Sequence, residues 1–289
     1  MNKKSWFSSK RMAAPKAKKG KKSIKIPEPK NNDFFENQEI KQDLQSFYNI
    51  EAKKYAETRK KFWHEEKAIL GAITPLFEQK EKVRILEFGC GSGRFATLLN
   101  QNFVGKFDYV GIDLSEELLS YASKDNPNLT FFQWDITKLV KNFEQESFDL
   151  IVWTSSFQHI PTVKERSFLM KNFYRLLDYD WMLLMTNRSL SDWFVKKHWK
   201  IVMKSKMLSW LKLGKWSARN LVVPRNDGNW KVYERFYHFF SLEELKNLAN
   251  FSWLTLRVNI FIDGNGNFID NEKFSHSSFL VASKTPIIG

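Results

Sequence analysis

Residues 85–95, ILEFGCGSGRF, constrain the fold more than any other stretch of the chain. The apolar run of Val83, Ile85, Leu86 and Phe88 reads as a buried strand; it stops at Gly89-Cys90-Gly91-Ser92-Gly93, and a helical pattern, RFATLLNQN, begins at once. Strand, glycine loop and helix in series make a ligand site, because the glycines bring bare N–H groups close to a ligand and the helix start adds partial positive charge. Asp113 lies twenty residues past Gly93, at the end of the next strand, YVGID. A carboxylate there can accept two hydrogen bonds from a ribose.

A dinucleotide loop, G-x-G-x-x-G, would need glycine where Arg94 stands, whereas here the third glycine comes one residue early and Glu87 precedes the first by two, giving E-x-G-x-G-x-G. LTFFQWDI with Asp135 and FDLIVWTSSFQHI follow in order, each apolar until its end. The series resembles the motifs of the class I S-adenosylmethionine-dependent methyltransferases. That resemblance implies that Glu87 steadies the loop and that Gly89, Cys90, Gly91, Gly93 and Arg94 pass over the methionine part of the cofactor. It further implies that Asp113 with Leu114 holds the ribose, that Asp135 with Ile136 faces the adenine amino group, and that Thr154 to Phe157 floor the site near the sulfonium. Taken singly, Asp113 or Asp135 reads equally well as a helix cap or turn acid.

Strands are expected near 83–88, 108–113, 129–134, 148–154 and 181–187, separated by helices around 94–103, 115–124 and 162–177, with two or three helices between 39 and 70 ahead of them. This alternation predicts a parallel α/β sheet. SLEELKNLAN, with Ser241 as N-cap and Glu244 three residues on, predicts a late helix. Two last strands, near 252–263 and 275–283, read as a hairpin joined by DGNGN. The fold class is thus α/β, a Rossmann-like sheet that the resemblance makes seven-stranded. Residues 1–36 form a tail, residues 37–289 the domain, and residues 188–234 an insertion after the fifth strand, where this family commonly builds its substrate lid.

Charge is spread unevenly. Residues 1–30 carry +10 and residues 187–235 carry +9 against +14 in all, so the remainder is mildly acidic at −5. The tail has too few large apolar residues to fold, and reads as a disordered polyanion-binding or solubilising extension. One cysteine, Cys90, excludes a disulfide framework and a cysteine-based metal site, and no metal is expected. No apolar run reaches the length of a membrane span, and no signal peptide is legible, so the chain reads as cytoplasmic.

In the insertion Trp193, Trp199, Trp210, Trp216 and Trp230 are interleaved with Lys196, Lys197, Lys200, Lys204, Lys206, Lys212 and Lys215. Three readings stand: rings stacking exposed RNA bases, a helix whose tryptophans pack on the core, and a basic membrane-surface helix. Two flanking segments narrow the resemblance. TRKKFW, with Thr58, Arg59 and Trp63, and RFYHFF, Arg235 to Phe240, are similar to segments of the methyltransferases that esterify 5-carboxymethyluridine at the tRNA wobble position. His159 matches a histidine of that family, while Phe62, Gln158 and LLDYDW depart from its pattern.

A carboxylate acceptor is ionised at neutral pH and needs a cation to position it rather than a base. Arg59 and Arg235 are the candidates, with Tyr237 and His238 orienting the acceptor or deprotonating it if it is a hydroxyl or amine; His238 reads equally as a structural hydrogen-bonding residue. Tyr55, Trp153 and Phe157 can offer ring faces to a sulfonium, and the resemblance also sets Tyr55 and Arg59 on the cofactor side. The leading expectation is a methyltransferase acting on RNA, specifically tRNA, bound through tail and insertion, with an accessory protein as a further partner. The alternatives are a small-molecule or lipid-intermediate methyltransferase and a non-catalytic RNA-binding protein.

Overall fold

A computed structural model of the protein describes residues 38–60, 63–140, 143–211, 217–226 and 232–285. The basic tail, and Lys212, Lys215, Trp216 and Trp230 of the insertion, lie outside them. The apolar run before the glycine loop forms β1, Val83–Phe88. Next come β2, Phe107–Asp113, and β3, Thr130–Gln133, then β4, Phe148–Thr154, and β5, Leu177–Arg188. These five pair in parallel, β1 lying between β2 and β4. Completing the sheet are β8, Thr255–Asp263, β9, Phe268–Ile269, and β10, Ser275–Ser283, in the order β3-β2-β1-β4-β5-β10-β8-β9, with β10 antiparallel to both β5 and β8.

Helices cover both faces. On one, α7, Val163–Leu176, and α10, Leu242–Phe251, bury Leu169, Phe173, Leu245 and Leu248 against Leu86, Phe88 and Ile151. On the other, α3, Glu66–Gln79, and α4, Arg94–Asn102, bury Ile69, Ile73, Phe95 and Leu99 against Val83, Ile85 and Val152. A strand covered on both sides is buried along its length, which is why burial in β1 and β4 does not alternate. Thr162 and Glu165 close a capping box at the start of α7, and Ser241 accepts from the Glu244 N–H at the start of α10. Ahead of β1 lie α1, Gln38–Ile50, and α2, Ala52–Arg59, and after β2 and β3 lie α5, Glu116–Asp125, and the single turn α6, Ile136–Leu139.

The sheet has eight strands rather than the expected seven. DGNGN does not join the two long final strands: Asp263 accepts from the N–H groups of Asn265 and Asn267, and the chain folds back at once into β9, which pairs Phe261 with Ile269. Only after a 3-10 turn, Glu272–Phe274, does β10 enter on the other side of β8. β5 starts earlier than expected, because Asp180 takes a left-handed φ of 66° and its N–H reaches the Lys284 carbonyl, carrying the strand through an irregularity.

The insertion contains α8, Asp192–Lys197, α9, Trp199–Trp210, and a separate antiparallel hairpin of β6, Asn220–Asn226, and β7, Val232–His238. It has its own small core of Phe194, Val202, Leu221, Val223, Tyr237 and Phe239. Asn220 pairs with His238, so the hairpin runs past residue 234 and takes in Arg235 to His238 of the RFYHFF segment. Trp193, Trp199 and Trp210 face outward, not onto the core. Among the described residues no helix is long and apolar enough to cross a membrane, and no group of three potential metal ligands occurs.

Candidate functional site

The C-terminal ends of β1, β2 and β4 open on a crevice at the point where strand order reverses, β2 and β3 leaving β1 on one side, β4 and β5 on the other. Its walls combine loop backbone with the rings of Tyr48, Tyr55, Trp134 and Trp153. The glycine loop forms one wall. Gly89 has φ +61°, and a Cβ there would collide with the Ser156 side chain, so only glycine lets the β4 loop close on the β1 loop. Asp113 at the end of β2 binds both sides of the opening: Oδ2 accepts from the Gly91 N–H at 2.8 Å and Oδ1 from the Ser115 N–H at 2.9 Å. Burial raises its pKa, and the backbone donors oppose that rise. Each oxygen keeps a lone pair for a ribose hydroxyl.

An adenosyl ligand fits this cradle on a further ground. Trp153 Nε1 is buried, has no hydrogen-bond partner, and sits in the crevice wall 3.5 Å from where a Gly89 Cβ would be. A buried N–H without a partner costs about 1–3 kcal/mol, so a bound acceptor atom there is favoured. S-adenosylmethionine, once bound, supplies a methyl group activated by a sulfonium.

Of the residues expected on the cofactor side, Tyr55, Gly89, Gly91, Asp113, Leu114, Asp135, Ile136 and Thr154 line the crevice. Others do not. Phe157 is fully buried, stacked on Phe240 and edge-on to Trp153, beneath the floor rather than in it. Glu87 accepts from the Tyr109 hydroxyl and bonds Thr154, bracing β1 to its two neighbours rather than holding the loop. Gly93 is the left-handed N-cap of α4, and Cys90 is buried beneath the loop, its thiol pushed up by burial. Arg94 lies over the Trp63 ring at 4.7 Å, and burial, with Arg59 nearby, pushes it down to about 10. Asp135 is an N-cap, accepting from the Thr137 N–H at 2.9 Å, and it also pairs with Lys41 at 3.1 Å.

Lys41 belongs to α1, which roofs the crevice and which the sequence did not single out. Besides the Lys41–Asp135 pair, Gln45 Nε2 donates to the Leu114 carbonyl at 2.9 Å, and Asn49 Oδ1 accepts from the Ser115 hydroxyl at 2.7 Å. Tyr48 faces His159 Nε2 at 3.3 Å. His159 Nδ1 donates to the Phe236 carbonyl at 2.7 Å, and burial pushes the ring down to about 4, so it lines the crevice as a neutral imidazole. The spacing of positions 41, 45, 48 and 49 on one helical face was the signal available.

Beyond the roof, three arginines lie against rings. Arg59 is 4.4 Å from the Tyr55 ring, Arg235 is 4.5 Å from Phe47 and 5.4 Å from Tyr237, and Arg188 is 5.7 Å from Phe194. Arg235 Nε is buried without a hydrogen-bond partner. Burial lowers the pKa of Arg188, with Tyr237 opposing and Arg59 and Arg235 adding to the drop; buried Glu65 is the acid that Arg59 and Arg188 both feel. Tyr237 packs 4.6 Å from the His159 ring. His238 stands apart. Its Nε2 donates to Glu244 at 2.7 Å and its Nδ1 meets the Asn220 side chain at 2.6 Å, pinning the end of β7 to α10 outside the crevice. Burial lowers its pKa in spite of Glu244, so the geometry assigns it a positioning role rather than the catalytic one expected.

Comparison with known proteins agrees with this geometry. A family described as "Methyltransferase domain" matches residues 85–180. A malonyl-[acyl-carrier protein] O-methyltransferase of Bacillus anthracis is 28% identical over 148 residues, 50% of this chain and 51% of that protein. The chain therefore spans about half the length of the curated relatives it matches. Among solved structures, a methyltransferase of Methanosarcina mazei superposes with a TM-score of 0.55 at 20% identity, covering 71% of this chain and 94% of the other. One of Clostridium acetobutylicum gives 0.56 at 16% identity, covering 84% and 99%. Those two show the fold. Residues 85–180, built around β1 and its glycine loop, thus match a methyltransferase domain, and the fold is the Rossmann-like one of S-adenosylmethionine-dependent methyltransferases.

Proposed function

We propose that the protein transfers the methyl group of S-adenosylmethionine to a carboxylate of a small or carrier-linked acid. The observation that carries this reading is the group of arginines beside the crevice, above all Arg235, whose buried Nε–H lacks a partner. An ionised acid needs no base, so the chain's own residues have to hold it, strip its water and aim one oxygen. Arg235 and Arg188 supply fixed planar donors for that. The relatives named for malonyl-[acyl-carrier protein] O-methylation support the same acceptor chemistry.

An RNA acceptor, including the wobble uridine acid of the resembling tRNA enzymes, is the second reading; it rests on the TRKKFW and RFYHFF segments, to which Arg59 and Arg235 belong. The test is incubation with labelled S-adenosylmethionine and separate pools of acidic metabolites and acyl thioesters, RNA, and protein. Label is expected in the acid pool as a base-labile ester, and label in RNA alone would overturn the small-acid reading. Within the acid pool, Arg235→Gln is expected to raise KM about tenfold or more, the worth of one charge-assisted hydrogen bond, with S-adenosylmethionine affinity unchanged.

A further inference from the structure

α9 is apolar on two sides. Val202 and half-buried Ile201 turn inward to the small core, while Trp199, Met203, Met207 and Trp210, spaced along one line of the helix, turn outward and are 57, 56, 53 and 78% exposed. Trp193 on α8 and Phe274, in the 3-10 turn that packs beside α8, are exposed as well. A helix apolar on opposite sides is stable in water only when something covers both. Lys196, Lys197, Lys200, Lys204 and Lys206 border the strip, and Asp192 is the sole acid in residues 192–211. The outer strip is about 17 Å long.

We propose that this face rests on a lipid bilayer rich in anionic headgroups, with Trp199, Met203, Met207 and Trp210 in the boundary between headgroups and acyl chains and the lysines among the phosphates. Two features favour a bilayer over RNA. Met203 and Met207 offer flexible thioether chains, which fill irregular apolar space and give bases no flat face to stack on. Lys197 and Lys200 already lie over the rings of Trp193 and Trp199, at 4.7 and 5.8 Å, where a base would stack. Rings that carry an apolar body and a polar edge settle at the membrane boundary. Arg188 lies 5.9 Å from the Trp193 ring, so a docked face brings the crevice mouth next to the lipid.

The full chain is sedimented with vesicles of phosphatidylcholine alone and of phosphatidylcholine with phosphatidylglycerol. It is expected to partition onto the anionic vesicles, with a blue-shifted tryptophan emission, and a Trp199→Ser, Met203→Ser, Met207→Ser variant is expected to bind about tenfold more weakly or less. The three side chains are exposed and outside the crevice, so unchanged affinity for S-adenosylmethionine shows that the variant is folded and keeps this readout separate from the methyl-transfer reading. No partitioning of the wild type, or equal partitioning of the variant through the basic tail alone, overturns the proposal. So does release of the chain from vesicles by total RNA, if the variant binds RNA correspondingly less well; that outcome makes RNA the occupant.

Discussion

Glu87 is 1% exposed, and burial, reinforced by Asp113 and opposed by the Tyr109 and Thr154 hydrogen bonds, raises its carboxyl from 4.5 to about 8. The native state thus holds this proton more tightly than the unfolded chain does. Its contribution to stability is fully present below pH 4.5 and is lost as pH rises through about 8. At about 1.4 kcal/mol per pH unit, the loss is on the order of 5 kcal/mol. Urea midpoints for the wild type should therefore fall between about pH 5 and pH 9, while Glu87→Gln, neutral throughout and able to keep the Tyr109 bond, should flatten that fall. Parallel curves for the two proteins would refute the assignment. Gly111 belongs to the same arrangement: a Cβ there would lie 2.7 Å from the Tyr109 hydroxyl and 2.8 Å from Phe131, blocking the approach to Glu87. Asp113 and the loop glycines were legible in the sequence because their partners are near in the motif order. Arg188 was not, since nothing around it in the chain announces that a β5 residue faces arginines from α2 and β7.

Among the elements, α1 makes the clearest case for function placed by tertiary contact. Lys41 holds Asp135 at 3.1 Å, Thr137 at 2.8 Å and Glu165 at 3.4 Å, so one ammonium ties the roof to the starts of α6 and α7. Lys41→Met removes the cation that Asp135 and Glu165 share. The expected cost is about 1–3 kcal/mol of stability, together with a fivefold to tenfold loss of S-adenosylmethionine affinity by calorimetry, on the order of 1 kcal/mol. Full affinity in a measurably destabilised variant would remove α1 from the site. Periodicity alone marked 39–70 as helical, but not where the first helix lies, because its partners are at least 66 residues away. The same reason explains Phe157: position after the fourth strand suggested a floor residue, yet its ring turns beneath the crevice to stack on Phe240, a residue of the distant insertion segment.

For the molecule as a whole, roof, glycine loop and β4 loop meet only around the crevice, so ligand and fold stability are linked. Saturation with S-adenosylmethionine at a hundredfold excess over Kd should stabilise the native state by about 2.7 kcal/mol and raise Tm by roughly 5–10 °C. Protease cutting within α1 should slow in parallel, and a thermal shift without that protection would point to binding elsewhere. Alternation of apolar runs with helical stretches was enough to read the parallel half of the sheet, since β1, β2 and β4 are buried along nearly their whole length. It did not reveal β9, whose two residues pair only because the turn after Asp263 is tight. That small strand has a consequence for crowded conditions. β9 covers only Phe261 and Ile262 of β8, so among the described residues 255–260 form an open margin, the stretch along which crowded copies would stack edge to edge and where an added charge should hold them apart.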